Sequence, residues 1–217
     1  MPEAKNVLAQ ALANNRAVYG DSFIHFKPAP QNGANGCFIF YPGGLVSSVA
    51  YAPLMQAISD QGYNAWLLNM PLDLALLAVD AADTVKADET ARTLCSHYVL
   101  SGHSLGGVAA ADYALAHPND GLLLIAAYPA DDKPITHHLG PVISVFANYD
   151  GLTTLDDIKA SKSALPEPTQ WLEIKGGNHA QFGWFGDMDK DGEAIITREI
   201  QQGLVLGAAL ELLATEQ

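Results

Sequence analysis

The stretch Tyr98-Val-Leu-Ser-Gly-His-Ser-Leu-Gly-Gly107 decides the fold. It begins with an apolar run of the kind found in buried strands, and residues 109–116 after it form a helical pattern rich in small side chains. Between them, Gly102 to Gly106 matches G-x-S-x-G, a sharp strand-to-helix turn that raises its serine above a sheet. Glycine suits both flanking positions because a side chain there would collide with neighbouring backbone. The pattern predicts that Ser104 is an exposed nucleophile.

The rest of the chain alternates short apolar runs with helical patterns, which is typical of a mostly parallel sheet with helices on both faces. The predicted strands are residues 37–41, 64–69, 98–101, 122–127, 142–146 and 171–174, with a less regular edge strand in residues 18–26. The predicted helices are residues 51–61, 73–96 (in one or two pieces), 109–116, 155–164 and 195–213. Because no repeat or low-complexity linker divides the sequence, we predict a single α/β domain over residues 1–217.

Composition narrows the choice of partners. The chain has 217 residues, of which 49% are hydrophobic, and a formal net charge of −13. An acidic surface of this kind repels nucleic-acid phosphates and anionic membranes. The sequence has no apolar run long enough for a membrane span and no secretory signal pattern at its start. We therefore expect a cytoplasmic protein that acts on a small molecule and binds neither nucleic acid nor membranes.

The cysteines and one acidic loop are the candidate metal or redox features. Cys37 and Cys95 lack the spacing of a metal site, and we expect both to be reduced, buried and packed as small hydrophobes. A disulfide is the alternative, because both lie near neighbouring strands of the predicted sheet. Residues 187–192 have the spacing that opens an EF-hand calcium loop, but the twelfth position is Arg198 instead of glutamate. We interpret this loop as a solvated turn and predict neither a metal nor a cofactor.

A nucleophilic serine on such a turn needs an acid and a base, in the chain order Ser, Asp or Glu, His. Asp150 follows the strand 142–146, so it lies at the carboxyl edge of the predicted sheet, where ligands bind. His179 follows the last strand in a glycine-containing loop, whereas the other histidines have unsuitable positions. We predict Asp150 as the acid and His179 as the base. Asp131 and Asp132, which follow the preceding strand, are the alternative acids.

Two backbone N–H groups are predicted to stabilise an oxyanion. Leu105 supplies one, because it starts a helix and its N–H is free, and the turn after strand 37–41 supplies the other. Gly44 is the first choice in that turn and Leu45 the second. The predicted substrate-binding residues are Tyr41, Leu45, Leu152 and Phe182. Because residues 128–141 are too few to build a helical cap, the site should be open.

These motifs resemble those of the α/β-hydrolase superfamily, and within it a lidless group similar to dienelactone hydrolases. The resemblance runs from residue 38 nearly to the C-terminus and rests on six segments: 40–46, 62–63, 102–107, 126–130, 149–152 and 176–183. It implies the triad already assigned from chain order. Dienelactone hydrolases use a cysteine nucleophile where this chain has Ser104, which favours a general carboxylic ester hydrolase.

The chemistry predicted from these residues is cleavage of small carboxylic esters or lactones through an acyl-enzyme. Hydrolysis of amides or thioesters by the same three residues is one alternative. A catalytically silent fold used for binding is another, and the complete set of three residues argues against it.

Overall fold

An eight-stranded sheet forms the centre of the computed structural model, which describes residues 1–29, 35–118 and 120–215. The strands are β1 (Ala17–Tyr19), β2 (Phe23–Phe26), β3 (Gly36–Tyr41), β4 (Asn64–Leu68), β5 (His97–His103), β6 (Gly121–Ile125), β7 (Val142–Ala147) and β8 (Gln170–Ile174). Their order is β1-β2-β4-β3-β5-β6-β7-β8. Strands β3 to β8 are parallel, and β2 pairs antiparallel with both β1 and β4. The mostly parallel α/β architecture predicted from the sequence is confirmed.

Seven α-helices accompany the sheet in the described residues. They are α1 (Pro2–Ala13), α2 (Ala52–Asp60), α3 (Ala82–Ala87), α4 (Glu89–Leu94), α5 (Leu105–Ala114), α6 (Leu155–Ser161) and α7 (Arg198–Ala214). Local signals account for several helix ends: Thr154 and Asp157 form a capping box at the start of α6, and Thr197 caps α7. Gly62, two residues after the end of α2, has a φ of 100° and turns the chain into β4. Among the described residues no helix combines the length and apolar character needed to cross a membrane.

Alternating side chains of the central strands build two cores, one on each face of the sheet. In β3, Phe38 and Phe40 pack in the core that includes residues of α1, α2 and α7. Cys37, Ile39 and Tyr41 point to the opposite core, which includes residues of α3, α4 and α5. Every residue of β3 is therefore buried, which explains why this strand is a continuous apolar run and does not alternate with polar residues.

Two parts of the chain differ from the predicted elements. Helix α1 was not predicted. Residues 73–96 do not form one or two continuous helices: short 3-10 turns at Ala75–Leu77 and Val79–Ala81 precede α3 and α4. Left-handed φ angles at Leu72 and Asp73, of 53° and 54°, interrupt the helical path at its start. Asp88 is extended and its side chain caps α4, which separates that helix from α3.

Cys37 and Cys95 form a disulfide, so the prediction that both are reduced was wrong and the alternative is the one found. The register explains the pairing: Gly36 of β3 lies opposite His97 of β5, which brings Cys95, two residues before β5, beside Cys37. Their Cα atoms are 5.6 Å apart, within the usual range for a disulfide. Disulfides are rare in the cytosol, so the bond is unexpected for the predicted cytoplasmic location, which stays a prediction.

The disulfide should stabilise the fold appreciably, because it closes a loop with a sequence separation of 58. We expect Cys95→Ala to lower the free energy of unfolding by about 2–4 kcal/mol, chiefly because the unfolded chain regains loop entropy. Urea unfolding of both proteins, with and without a reductant, measures this. The reductant should destabilise only the parent chain. Two titratable thiols in the native, unreduced protein would contradict the assignment.

No helical cap covers the carboxyl edge of the sheet between β6 and β7. Residues 126–141 contain turns and no helix. Their last part lies beside the far end of α5, because the N–H groups of Leu139 and Gly140 both donate to the carbonyl of Pro118. The segment thus runs towards the amino edge of the sheet, and the predicted absence of a cap is confirmed.

Candidate active site

Ser104 lies in a strained turn between β5 and α5. Its φ of 53° and ψ of −125° are rare for a residue with a side chain, and such strain persists only where the surroundings enforce it. Here the enforcing contact is a hydrogen bond from the Ser104 N–H to the carbonyl of Ile125 in the neighbouring strand, at 3.0 Å. Ser104 is partly exposed, whereas His103 before it is buried. This is the turn predicted from G-x-S-x-G.

The two glycines of the turn are required by close backbone contacts. A Cβ at Gly102 would lie 2.3 Å from the carbonyl carbon of Gly106, and one at Gly106 would lie 2.2 Å from the carbonyl oxygen of Tyr41. Such distances are below any that real Cβ atoms adopt, and the obstructing atoms are backbone. The start of α5 can therefore approach the ends of β5 and β3 only if Gly102 and Gly106 lack side chains.

His179 and Asp150 form a buried pair beside this turn. The Nδ1 atom of His179 lies 2.8 Å from Oδ2 of Asp150, and both side chains are fully buried. The other oxygen of Asp150 accepts the N–H groups of Leu152 and Thr153, at 2.8 and 2.7 Å. Because an ionised carboxylate only accepts, Nδ1 carries the ring hydrogen and Nε2 is left as the acceptor. That Nε2 atom is buried and has no hydrogen-bond partner among the described residues.

The alternative acids lie elsewhere. Asp131 and Asp132 are exposed in a turn, and in the described parts of the chain neither bonds to a histidine. Of the three predicted candidates, Asp150 is the one that the structure brings to His179.

The turn after β3 offers one free donor and one that is engaged. The N–H of Leu45 donates to the carbonyl of Asp73 at 2.8 Å, so it is not available to a substrate. The N–H of Gly44 has no acceptor within the described ranges. A Cβ at Gly44 would lie 2.5 Å from Cδ1 of Leu105, so Gly44 contacts the first residue of α5, whose own N–H has no intrahelical acceptor. The geometry therefore favours Gly44 over Leu45 as the residue whose backbone N–H would bind an oxyanion together with the N–H of Leu105.

A buried network under this turn was not anticipated from the sequence. The hydroxyl of Tyr51 accepts the N–H of Gly43 at 3.1 Å and shares a 2.8 Å hydrogen bond with Nδ1 of His103. Burial lowers the pKa of His103 well below its usual value, and the neighbouring His179, whose ring centroid is 4.4 Å away, lowers it further. His103 is thus neutral near pH 7. The network holds the Gly43–Gly44 turn against the strand that carries Ser104.

The four predicted substrate-binding residues separate into two groups. Leu45 and Leu152 are 79% and 38% exposed, so both are available at the surface. Phe182 is buried in the core, with its ring 5.6 Å from that of His103. Tyr41 is also buried: its hydroxyl donates to the carbonyl of Val79 and accepts the N–H of Ala82. Strand alternation directs the side chain of Tyr41 into the opposite core, and its predicted role in substrate binding stays a prediction.

Within the described residues, no group of three or more histidine, cysteine, aspartate or glutamate side chains is arranged to hold a metal ion. In the acidic loop 187–192, the carboxylate of Asp191 accepts the backbone N–H groups of His179 and Ala180.

Comparison with known proteins points to one family. Residues 37–203 match the family model described as alpha/beta hydrolase, a span that contains Ser104, Asp150 and His179. Three similar solved structures are a dienelactone hydrolase from Anabaena variabilis (18% identity, TM-score 0.67, covering 91% of this chain and 99% of that chain), Est1E from Butyrivibrio proteoclasticus (12%, 0.63, 92% and 98%) and an alpha-beta serine hydrolase homologue from Coxiella burnetii (14%, 0.62, 88% and 95%). At these identities the likeness is one of fold. No curated protein matches the sequence.

Proposed function

The chain belongs to the α/β-hydrolase family, and we propose that it is a serine hydrolase of the carboxylesterase type, which cleaves small carboxylic esters or lactones through an acyl-enzyme. The observation that carries the proposal is the buried His179–Asp150 pair with an unpartnered Nε2, next to a strained turn that exposes Ser104. A buried nitrogen without a partner costs about 1–3 kcal/mol, so its retention in a site favours a functional reason.

In the first half of the reaction, Oγ of Ser104 attacks the carbonyl carbon while Nε2 of His179 takes its proton. Asp150 balances the resulting imidazolium and holds its Nδ1–H. The N–H groups of Gly44 and Leu105 bind the oxyanion. His179 then gives the proton to the leaving alkoxide, the ester C–O bond breaks, and the acyl group stays on Ser104.

In the second half, water replaces the alcohol. It attacks the acyl carbon, its proton goes to His179, and the acid leaves as Ser104 recovers its hydrogen. The lowered pKa of His103 supports this cycle, since a neutral neighbour leaves the imidazolium of His179 free of like-charge repulsion.

Substrate size follows from the uncovered edge of the sheet. With no cap between β6 and β7, the surface around Ser104 has little apolar wall for a long acyl chain. The exposed side chains of Leu45 and Leu152 offer contacts for a short apolar group only.

We therefore expect p-nitrophenyl acetate and butyrate to be cleaved with a higher kcat/KM than the palmitate. The rate should rise smoothly with substrate concentration, because there is no cap to displace at a lipid surface. Initial rates measured below and above the onset of micelles test this, with matched thioester and anilide substrates as controls for bond type. A preference for palmitate, a jump at micelle onset, or faster cleavage of the anilide would contradict the proposal.

A further inference from the structure

Asp191, in the acidic loop 187–192, has an unusual set of contacts. Its carboxylate accepts four backbone N–H groups: those of Gly151 (3.2 Å), His179 (3.1 Å), Ala180 (2.8 Å) and Gly192 (3.0 Å). Both oxygens are used. Such charge-assisted bonds are stronger than neutral ones, so the carboxylate is a firm anchor for the backbone around it.

Three of the four donors come from segments that carry the proposed acid and base, and the fourth, Gly192, follows Asp191 in its own loop. Gly151 directly follows Asp150, and the second donor is the backbone N–H of His179 itself. The Asp191 carboxylate therefore joins the two loops at residues adjacent to, or identical with, the buried pair. The same two segments are also joined further from the pair, where the Tyr149 N–H donates to the carbonyl of Gly177 at 3.0 Å, so Asp191 adds the link that lies at the pair itself.

Close backbone packing keeps the acidic loop in place. The N–H of Gly192 is shared between the Asp191 carboxylate and the carbonyl of Tyr149, at 3.0 Å from each, and a Cβ at Gly192 would lie 2.1 Å from the Tyr149 oxygen. On the other side, a Cβ at Gly151 would lie 1.9 Å from the carbonyl oxygen of Lys190. The loop and residues 149–151 thus touch backbone to backbone, so a displacement of one moves the other.

We propose that Asp191 is a positioning residue that sets the geometry of the Asp150–His179 pair. The proposal rests on the proposed function for its kinetic consequence, but its structural consequence stands alone. Loss of the carboxylate removes its bonds to the N–H groups of His179 and Ala180, so the His179 loop can shift relative to Asp150, and the Nδ1–H···Oδ2 bond lengthens. A shift of about 1 Å in such a constellation costs on the order of 100-fold in rate.

The test compares Asp191→Ala with Asp189→Ala, a matched removal of an exposed aspartate from the same loop. Asp191→Asn is a third variant, since an amide keeps one acceptor oxygen. The first measurement is kcat and KM on p-nitrophenyl acetate per active site, counted by fluorophosphonate labelling. The second is the downfield proton resonance of the His179 Nδ1–H, assigned by its loss in His179→Gln.

For Asp191→Ala we expect kcat to fall by about 10- to 100-fold with KM within a factor of three, and the resonance to weaken or move upfield. Asp191→Asn should lie between it and the parent, and Asp189→Ala should match the parent. Counting active sites separates this outcome from a loss of folded protein. An unchanged resonance and an unchanged kcat in Asp191→Ala would overturn the proposal. If no variant or parent cleaves esters, the resonance still decides the role of Asp191, and only the proposed function fails.

Discussion

Ser104→Ala is expected to abolish ester turnover, with a loss of about 10³-fold or more in kcat. The hydroxyl is the attacking group, and alanine has nothing to replace it. The fold should be unaffected, because Ser104 is partly exposed at a turn and its hydroxyl makes no hydrogen bond with another described residue. Steady-state kinetics and a thermal melt of the purified variant measure the two effects.

Ser47→Ala is the matched control for this prediction. Ser47 is exposed after the Gly43–Gly44 turn, and its side chain makes no capping bond. It should keep parental kcat and react with a fluorophosphonate at Ser104. Substantial activity in Ser104→Ala, or labelling of the parent at another residue, would end the assignment of Ser104 as nucleophile.

The sheet could be predicted because each strand is recognisable from its own short segment of sequence. Strands such as β3 and β6 are buried on both faces, so each is an uninterrupted apolar run bounded by turn residues. The turn at Ser104 could be predicted equally well, because the contacts at Gly102 and Gly106 leave no room for any residue but glycine. In both cases the constraint acts on one short segment.

Features that depend on contacts between distant segments were missed or, as with the disulfide, given only as an alternative. The disulfide depends on the register between β3 and β5, which the sequence does not encode near either cysteine. The hydrogen bond between Tyr51 and His103 joins two segments that are far apart in the sequence and share no motif. The contacts of Asp191 form only once its loop has folded against residues 149–151. Taken alone, the acidic loop suggests a calcium site or a solvated turn, because three of the four backbone donors to Asp191 lie elsewhere in the chain.

Tyr41 shows how a position can be predicted while its orientation is not. The residue does end the strand next to β5, as expected, but successive side chains of a strand point to opposite faces. The ring of Tyr41 points to the same face of the sheet as Cys37 and Ile39, and the sequence alone does not say which face that is.

Asp150→Asn should lower kcat by on the order of 10⁴-fold near neutral pH, for a reason that the hydrogen bonds specify. One oxygen of Asp150 accepts the N–H groups of Leu152 and Thr153, so the asparagine oxygen will take that place. The amide NH₂ then faces Nδ1 of His179 and donates to it. The ring must carry its hydrogen on Nε2, which can no longer accept the proton of Ser104.

Kinetics on p-nitrophenyl acetate across pH measure this loss, with Asp132→Asn as the matched control. Asp132 follows the preceding strand and is exposed, and its replacement removes the same charge without touching His179. The control should therefore differ little from the parent in kcat and in KM. The His179 Nδ1–H resonance should disappear in Asp150→Asn, because the hydrogen has moved to Nε2, and it should persist in Asp132→Asn. If Asp132→Asn were crippled while Asp150→Asn kept near-normal activity, the acid would lie one strand earlier, and the buried pair would be structural.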